Sequence, residues 1–254
     1  MAMSETFKSR LASGEPLIGT FLKTPSPMMC EVLGRSDCDA VCIDAEHAPF
    51  DRRDIDACIH ALNHAGMPSI VRIPALRSEY ILNALDCGAQ AILAPHIASA
   101  SDAEFLVKQC NYGQGRGFAG SSRAAGYMAR SMAEHIAASN AQTCVIAQLE
   151  DAEALDNLDE ILEVDGIDCF FIGRADLTVS LGLDNPNDPK VIEAVEHICR
   201  TASNAGRRIG MFTANVDELP KWRELGASLF LLGSDHSMML EGAKGLTTRV
   251  RAHF

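Results

Sequence analysis

Two carboxylates, Glu150 and Asp176, stand where short apolar runs end: Cys144-Val-Ile-Ala-Gln-Leu-Glu150 and Asp168-Cys-Phe-Phe-Ile-Gly-Arg-Ala-Asp176. A carboxylate that closes a hydrophobic strand is delivered to the rim of a sheet or barrel, where ligands bind. Two from successive strands make a good site for a hard divalent cation. A third run, Asp39-Ala-Val-Cys-Ile-Asp-Ala-Glu-His47, ends in a histidine able to move a proton beside that cation. Together these residues suggest a metal-dependent enzyme acting on a small, oxygen-rich substrate. Each also has a plainer role open to it: a helix N-cap for Asp176, a surface carboxylate for Glu150, a loop histidine for His47.

The elements that must position them are short apolar runs alternating with longer amphipathic segments. Eight runs read as strands: Leu17–Leu22, Ala40–Ala45, Ser69–Ile73, Ala91–Ala94, Cys144–Leu149, Asp168–Ile172, Arg208–Phe212 and Leu229–Leu232. Near-continuous apolar strands separated by helices indicate parallel strands covered on both faces. Eight such units in 254 residues fit an α/β fold of the (β/α)8 TIM-barrel type in a single domain; a doubly wound open sheet is the alternative. Among the helices, Asp51–Ala65 carries Ile55, Cys58, Ile59 and Leu62 on one face and stops at Gly66. Ser101–Cys110 opens on Ser-Asp-Ala-Glu, a capping-box pattern, and Asp188–Ala205 ends before Gly206. The connection from Pro95 to Thr143 is long, and its Gly- and Ser-rich stretch 111–126 contains Arg116 and Arg123. Loops of that length are often binding loops or lids.

In a barrel the strand C-termini share one face. There the second strand supplies Asp44, Glu46 and His47, the third Arg72, the fourth His96, the fifth Gln148 and Glu150, the sixth Gly173, Ala175 and Asp176, and the eighth Ser234 and Asp235. That many ionisable groups on one rim favour catalysis over packing. Arg72 puts a charge into an apolar strand, a costly placement unless the charge is paired or used.

The net charge of −12 argues against nucleic acid as a partner, because phosphate contacts need clustered Lys and Arg. No apolar stretch approaches the roughly 20 residues that span a membrane. The start lacks a signal peptide's basic and apolar regions. The nine cysteines are scattered, odd in number and without a Cys-x-x-Cys pair. They read as small buried hydrophobes in a reducing cytoplasm.

The motifs Asp44-Ala-Glu-His-Ala-Pro49, Val71-Arg-Ile-Pro74, Leu85-Asp-Cys-Gly-Ala89, Gln148-Leu-Glu150 and Phe171-Ile-Gly-Arg-Ala-Asp-Leu177 resemble the HpcH/HpaI family of metal-dependent class II aldolases acting on 2-keto acids. The resemblance runs in order from Ile18 to Asp235. It implies a (β/α)8 barrel in a homohexamer whose C-terminal helix is exchanged between neighbouring subunits. It implies Glu150 and Asp176 as ligands of Mg2+, Mn2+ or Co2+, which would chelate the keto and carboxylate oxygens of pyruvate and act as a Lewis acid toward the enolate. It implies His47 as general base, with Asp44 and Asp86 orienting and polarising it, and Arg72 on the keto oxygen. Gln148 would assist the metal or its water, and the amides of Ala175 and Asp176, beside Gly173, would hold the substrate carboxylate. For Asp86, in a helix-end pattern before Gly88, a helix-terminal role competes.

The implied reaction is reversible cleavage of a 4-hydroxy-2-oxo acid, of the hydroxy-ketoacid or keto-deoxy aldarate type, to pyruvate and an aldehyde. A CoA-thioester lyase of the citramalyl or malyl type is the nearby alternative, although no basic patch for CoA stands out. A non-catalytic ligand-binding barrel is the alternative of a different class. None of the strand ends named above carries the lysine of a Schiff-base aldolase. Three positions depart from the family pattern. Arg174 replaces a proline and is expected to point to solvent. Phe21 replaces a tryptophan. His96 follows the strand-four proline as a substrate contact or a helix cap. Arg116 and Arg123 are candidates for the distal end of the substrate. Met28, Met29, Met238 and Met239 read as core or subunit-interface packing.

Overall fold

The strand-forming runs owe their extended conformation to β-branched and apolar residues buried on both faces. In a computed structural model, which describes residues 6–254, they form eight strands: β1 (Leu17–Leu22), β2 (Ala40–Asp44), β3 (Ser69–Arg72), β4 (Ala91–Ala94), β5 (Cys144–Leu149), β6 (Cys169–Ile172), β7 (Ile209–Thr213) and β8 (Ala227–Ser234). Each pairs in parallel with the next and β8 returns to β1, so the sheet closes into the expected barrel with helices between the strands. Asp44 and Arg72 are paired in register at the ends of β2 and β3, which puts their side chains side by side on the C-terminal rim.

Alternation along the strands divides the core in two. One set, including Phe21, Cys42, Ile70, Leu93, Cys144, Ile146, Cys169, Phe171 and Leu231, fills the barrel interior. The other, including Val41, Ile43, Val71, Ile92, Val145, Phe170 and Ile172, meets the surrounding helices. The cysteines behave as small apolar fillers: all nine are free and eight are buried, with Cys38 partly exposed. A helix not expected from the sequence, Phe7–Ser13, packs Phe7 and Leu11 into the interior set beside Leu17. Its single pair of apolar contacts is too short a pattern to mark a helix by periodicity.

The helix Arg52–His64 starts at the Asp51 cap and buries Ile55, Cys58, Ile59 and Leu62. The helix Ala100–Cys110 is capped two residues earlier than the expected Ser101 box, by Ser99, whose hydroxyl accepts from the Asp102 amide. Within the long connection a second helix, Met132–Gln142, follows the Gly-rich stretch. The last helix, Asp235–Arg251, is capped by Ser234. Every residue from Met238 to Phe254 is exposed, including Leu240, Leu246 and Val250. Met28, Met238 and Met239 are therefore not core residues of the protomer, whereas Met29 packs against the core. No helix among the described residues is long and apolar enough to cross a membrane.

Candidate active site

Arg72 anchors the rim. Only 7% exposed, it donates from Nε to Asp44 Oδ1 at 3.0 Å, and its Nη2 lies 2.9 Å from the same oxygen. Its Nε also lies 3.3 Å from Glu46 Oε2, and its guanidinium sits 4.7 Å from the centre of the Phe21 ring. The cost of burying this cation is thus met by two carboxylates and an aromatic face. Burial would lower the Arg72 pKa, but Asp44 outweighs it and holds the group charged. Asp44 is fully buried; burial would raise its pKa, but Arg72 and Lys23, whose Nζ is 2.8 Å away, hold it below the usual carboxylate range. Lys23, at the end of β1, carried no signal in the sequence because lysines are common on loops.

Asp44 does not meet the His47 ring. It accepts the His47 backbone amide at 3.1 Å and so shapes the turn that presents the imidazole. That imidazole is half exposed, with Nε2 3.8 Å from Glu46 Oε2. Asp86 does not join this group within the protomer. It ends the helix Ser78–Cys87, which runs from the rim of β3 back to the start of β4, at the N-terminal end of the barrel. There its nearest cation is Arg116, 3.7 Å away, and burial raises its pKa against that attraction.

A cavity of about 490 Å³ opens at the C-terminal rim, lined by His47, Arg72, Gln148, Gly173, Ala175 and Asp176 together with Phe21 and Lys23. Glu150, 1% exposed, stands beside it at the end of β5 and accepts from Gln148 Nε2. Burial pushes Glu150 up to about 7; hydrogen bonds from Gln148 and His96 oppose this, and the charge of Asp176 adds to it. Gly173 is required where β6 turns into the helix Arg174–Ser180. A Cβ there would lie 2.5 Å from Glu150 Oε2. No side chain caps that helix.

His96 is neither a helix cap nor confined to solvent. Its backbone takes a left-handed φ of 56°, its amide donates to Glu150 Oε1 at 2.9 Å, and its Nδ1 lies 3.0 Å from Asp151 Oδ2. Glu46, His96 and Glu150 each bring a potential ligand atom within 4.8 Å of the others. Glu46 lies on the rim as expected, and its approach to His96 joins the loops that follow β2 and β4, which no local pattern in the sequence reveals.

Three arginines differ from expectation. Arg174 does not point to solvent: it donates to Pro186 O at 2.7 Å and to Asn187 Oδ1 at 2.6 Å, and pairs with Glu218 at 2.6 Å. Arg123 is bidentate on Asp56, both distances 2.8 Å. Arg116 is buried against the Tyr112 ring and donates to Ser139. Neither loop arginine lines the rim cavity of its own protomer. Asp235, left open by the sequence, accepts the Lys23 and Thr24 amides at 2.8 and 3.0 Å and pins the loop after β1.

The family model of HpcH/HpaI aldolase/citrate lyase matches residues 17–241. A hydroxypyruvate/pyruvate aldolase of Roseovarius nubinhibens is 35% identical over 250 residues, covering 96% of this chain and 95% of that protein. A 4-hydroxy-2-oxo-heptane-1,7-dioate aldolase of Klebsiella pneumoniae is 34% identical over 250 residues, covering 97% and 94%. Among solved structures, an HpcH/HpaI aldolase/citrate lyase family protein of Burkholderia cenocepacia is 34% identical, with a TM-score of 0.91 and coverage of 96% of this chain and 98% of that one.

Proposed function

The chain belongs to the HpcH/HpaI aldolase/citrate lyase family and is a class II aldolase of 4-hydroxy-2-oxo acids, and we propose that His47, Arg72, Gln148, Glu150 and Asp176 carry its chemistry. The observation that supports this most is the gathering of His47, Arg72, Gln148 and Asp176 around one rim cavity with Glu150 buried beside it.

The donor set fits a hard divalent cation. Glu150 and Asp176 would hold it, and among the described residues the buried Gln148 Oε1 has no hydrogen-bond partner, while Glu46 Oε2 is met only by the Arg72 charge at 3.3 Å. When bound, Mg2+, Mn2+ or Co2+ supplies Lewis-acid stabilisation of negative charge on the keto oxygen. In cleavage, His47 takes the proton of the C4 hydroxyl. The C3–C4 bond breaks, C4 becomes the aldehyde carbon, and the electron pair passes into the enolate of pyruvate. Arg72, fixed by Asp44 and Glu46, faces the oxygen on which that charge grows; a preset cation costs no reorganisation as the reaction proceeds. Asp44 acts on His47 through its backbone, as a positioning residue. The amides of Ala175 and Asp176, at an uncapped helix start, hold the substrate carboxylate.

The same reading makes the protein a homohexamer that exchanges its last helix. Support comes from Met239, Leu240, Leu246 and Val250, which that helix leaves exposed. Asp86, at the opposite end of its own barrel, acts on His47 in this reading only from a second protomer. The test is His47→Ala. Turnover should fall by about 10²–10⁴ while pyruvate affinity stays within about threefold, because a base acts in the transition state. Equal losses in turnover and pyruvate binding would make His47 a binding residue instead.

A further inference from the structure

In the cleavage, negative charge grows at two oxygens of the substrate. Arg72 faces the keto oxygen. The C4 oxygen gives its proton to His47 before it becomes the aldehyde carbonyl, and a second fixed donor there would stabilise that charge. Three cationic side chains besides His47 line the rim cavity: Lys23, Arg72 and Arg174. Arg174 is spent on Pro186, Asn187 and Glu218. Arg72 is locked by Asp44 and Glu46. Lys23 alone of the three combines a fixed position with donors to spare.

Its backbone is pinned from the far side of the barrel closure. Asp235, itself buried, accepts the Lys23 and Thr24 amides at 2.8 and 3.0 Å, and Thr24 Oγ1 lies 3.1 Å from His236 Nε2. Its Nζ lies 2.8 Å from Asp44 Oδ2, and among the described residues no other acceptor meets it. An ammonium has three N–H donors, so two remain for the cavity. Asp44 does not depend on this cation: its Oδ1 already accepts from Arg72 Nε and from the His47 amide. A partly exposed lysine pair also adds little stability. What the pair does is fix the ammonium beside the base. One oxygen of the fully buried Asp44 holds the His47 turn and the other holds Lys23, and both side chains open onto the same cavity.

We propose that Lys23 is a catalytic residue that donates a hydrogen bond to the C4 oxygen as His47 removes its proton. The inference rests on the aldolase reading and on His47 as the base. The proton passes from the C4 oxygen to the imidazole, the freed pair closes the carbonyl of the aldehyde, and the C3–C4 pair passes into the enolate of pyruvate. Lys23 keeps its protons throughout and forms no covalent bond. A charge-assisted hydrogen bond of this kind strengthens as the oxygen gains charge, so it acts on the transition state more than on binding.

The experiment compares two reactions of the full chain with Mg2+ restored. One is cleavage. The other is exchange of the pyruvate methyl protons with solvent deuterium, followed by NMR, which forms the same enolate with no C4 oxygen present. Lys23→Met should slow cleavage of 4-hydroxy-2-oxopentanoate and of 4-hydroxy-2-oxoheptanedioate alike, by about 10–100-fold, and leave exchange within about threefold of the wild type. Equal losses in cleavage and exchange would make Lys23 only a support of Asp44 and overturn the proposal. Loss confined to the heptanedioate would place Lys23 on the distal carboxylate and overturn it too. Borohydride with pyruvate should leave the wild type active; inactivation that Lys23→Met escapes would make Lys23 a Schiff-base lysine instead. A wild type that neither cleaves nor exchanges would remove the aldolase reading, and the proposal with it.

Discussion

Glu150→Gln exchanges function for stability, and the size of the exchange follows from burial. In the metal-free protein Glu150 is 1% exposed and its pKa is pushed from 4.5 up to about 7 by burial first of all. A carboxyl held above its unfolded value binds its proton more tightly in the fold. The fold is thus favoured at low pH, and that contribution is lost as pH rises from 4.5 to 7. At about one RT ln 10 per unit, holding Glu150 ionised costs the fold about 3 kcal/mol at pH 8 and about 1 kcal/mol at pH 5. Glutamine keeps the shape without the charge. Its oxygen can accept the His96 amide, and its NH2 can donate to Gln148 Oε1, now without a partner, once the Gln148 amide flips. Urea unfolding in EDTA should therefore find the variant more stable than the wild type, with a gap that widens by about 2 kcal/mol between pH 5 and pH 8. The same variant should bind no catalytic metal and turn over no substrate. A pH-independent gap, or a variant less stable than the wild type at pH 8, would refute the picture of a carboxylate strained by burial.

Other substitutions probe the surrounding frame. Gly173→Ala would place a Cβ 2.5 Å from Glu150 Oε2 and 2.8 Å from its Cβ, so turnover should fall by about 10–100-fold as the carboxylate is displaced; near-normal kcat would show that Glu150 moves freely. Arg174→Ala should cost about 1–3 kcal/mol in chemical denaturation, because the Glu218, Asn187 and Pro186 contacts are lost together, while KM stays within about threefold. A large change in KM without loss of stability would return Arg174 to the substrate.

The barrel was legible because each strand is a short apolar run, buried on both faces, and that pattern survives any detail of packing. The rim residues were legible for the same reason: a charged residue that ends such a run can only be delivered to the strand's C-terminal edge, as with Arg72 and Glu150. Partnerships across the rim were not. Asp44 lies three residues from His47, which suggests contact with the ring, yet the turn spends the carboxylate on the backbone amide and on Arg72. Glu46 and His96 come from different strands and meet only because β2, β3, β4 and β5 are neighbours in the closed sheet. Arg174 looked solvent-bound because its anchors, Pro186, Asn187 and Glu218, lie 12 to 44 residues away. Asp86 shows the limit of motif matching within one chain: its motif is present, but the helix carries it to the other end of the barrel.

The most direct measurement is pyruvate release from a short panel of 4-hydroxy-2-oxo acids by the metal-stripped protein, with Mg2+, Mn2+ or Co2+ restored and with EDTA as control. Release that EDTA abolishes and metal restores is the expected result. Release that persists in EDTA, or no release from any member of the panel while pyruvate still binds, would contradict a metal-dependent pyruvate aldolase.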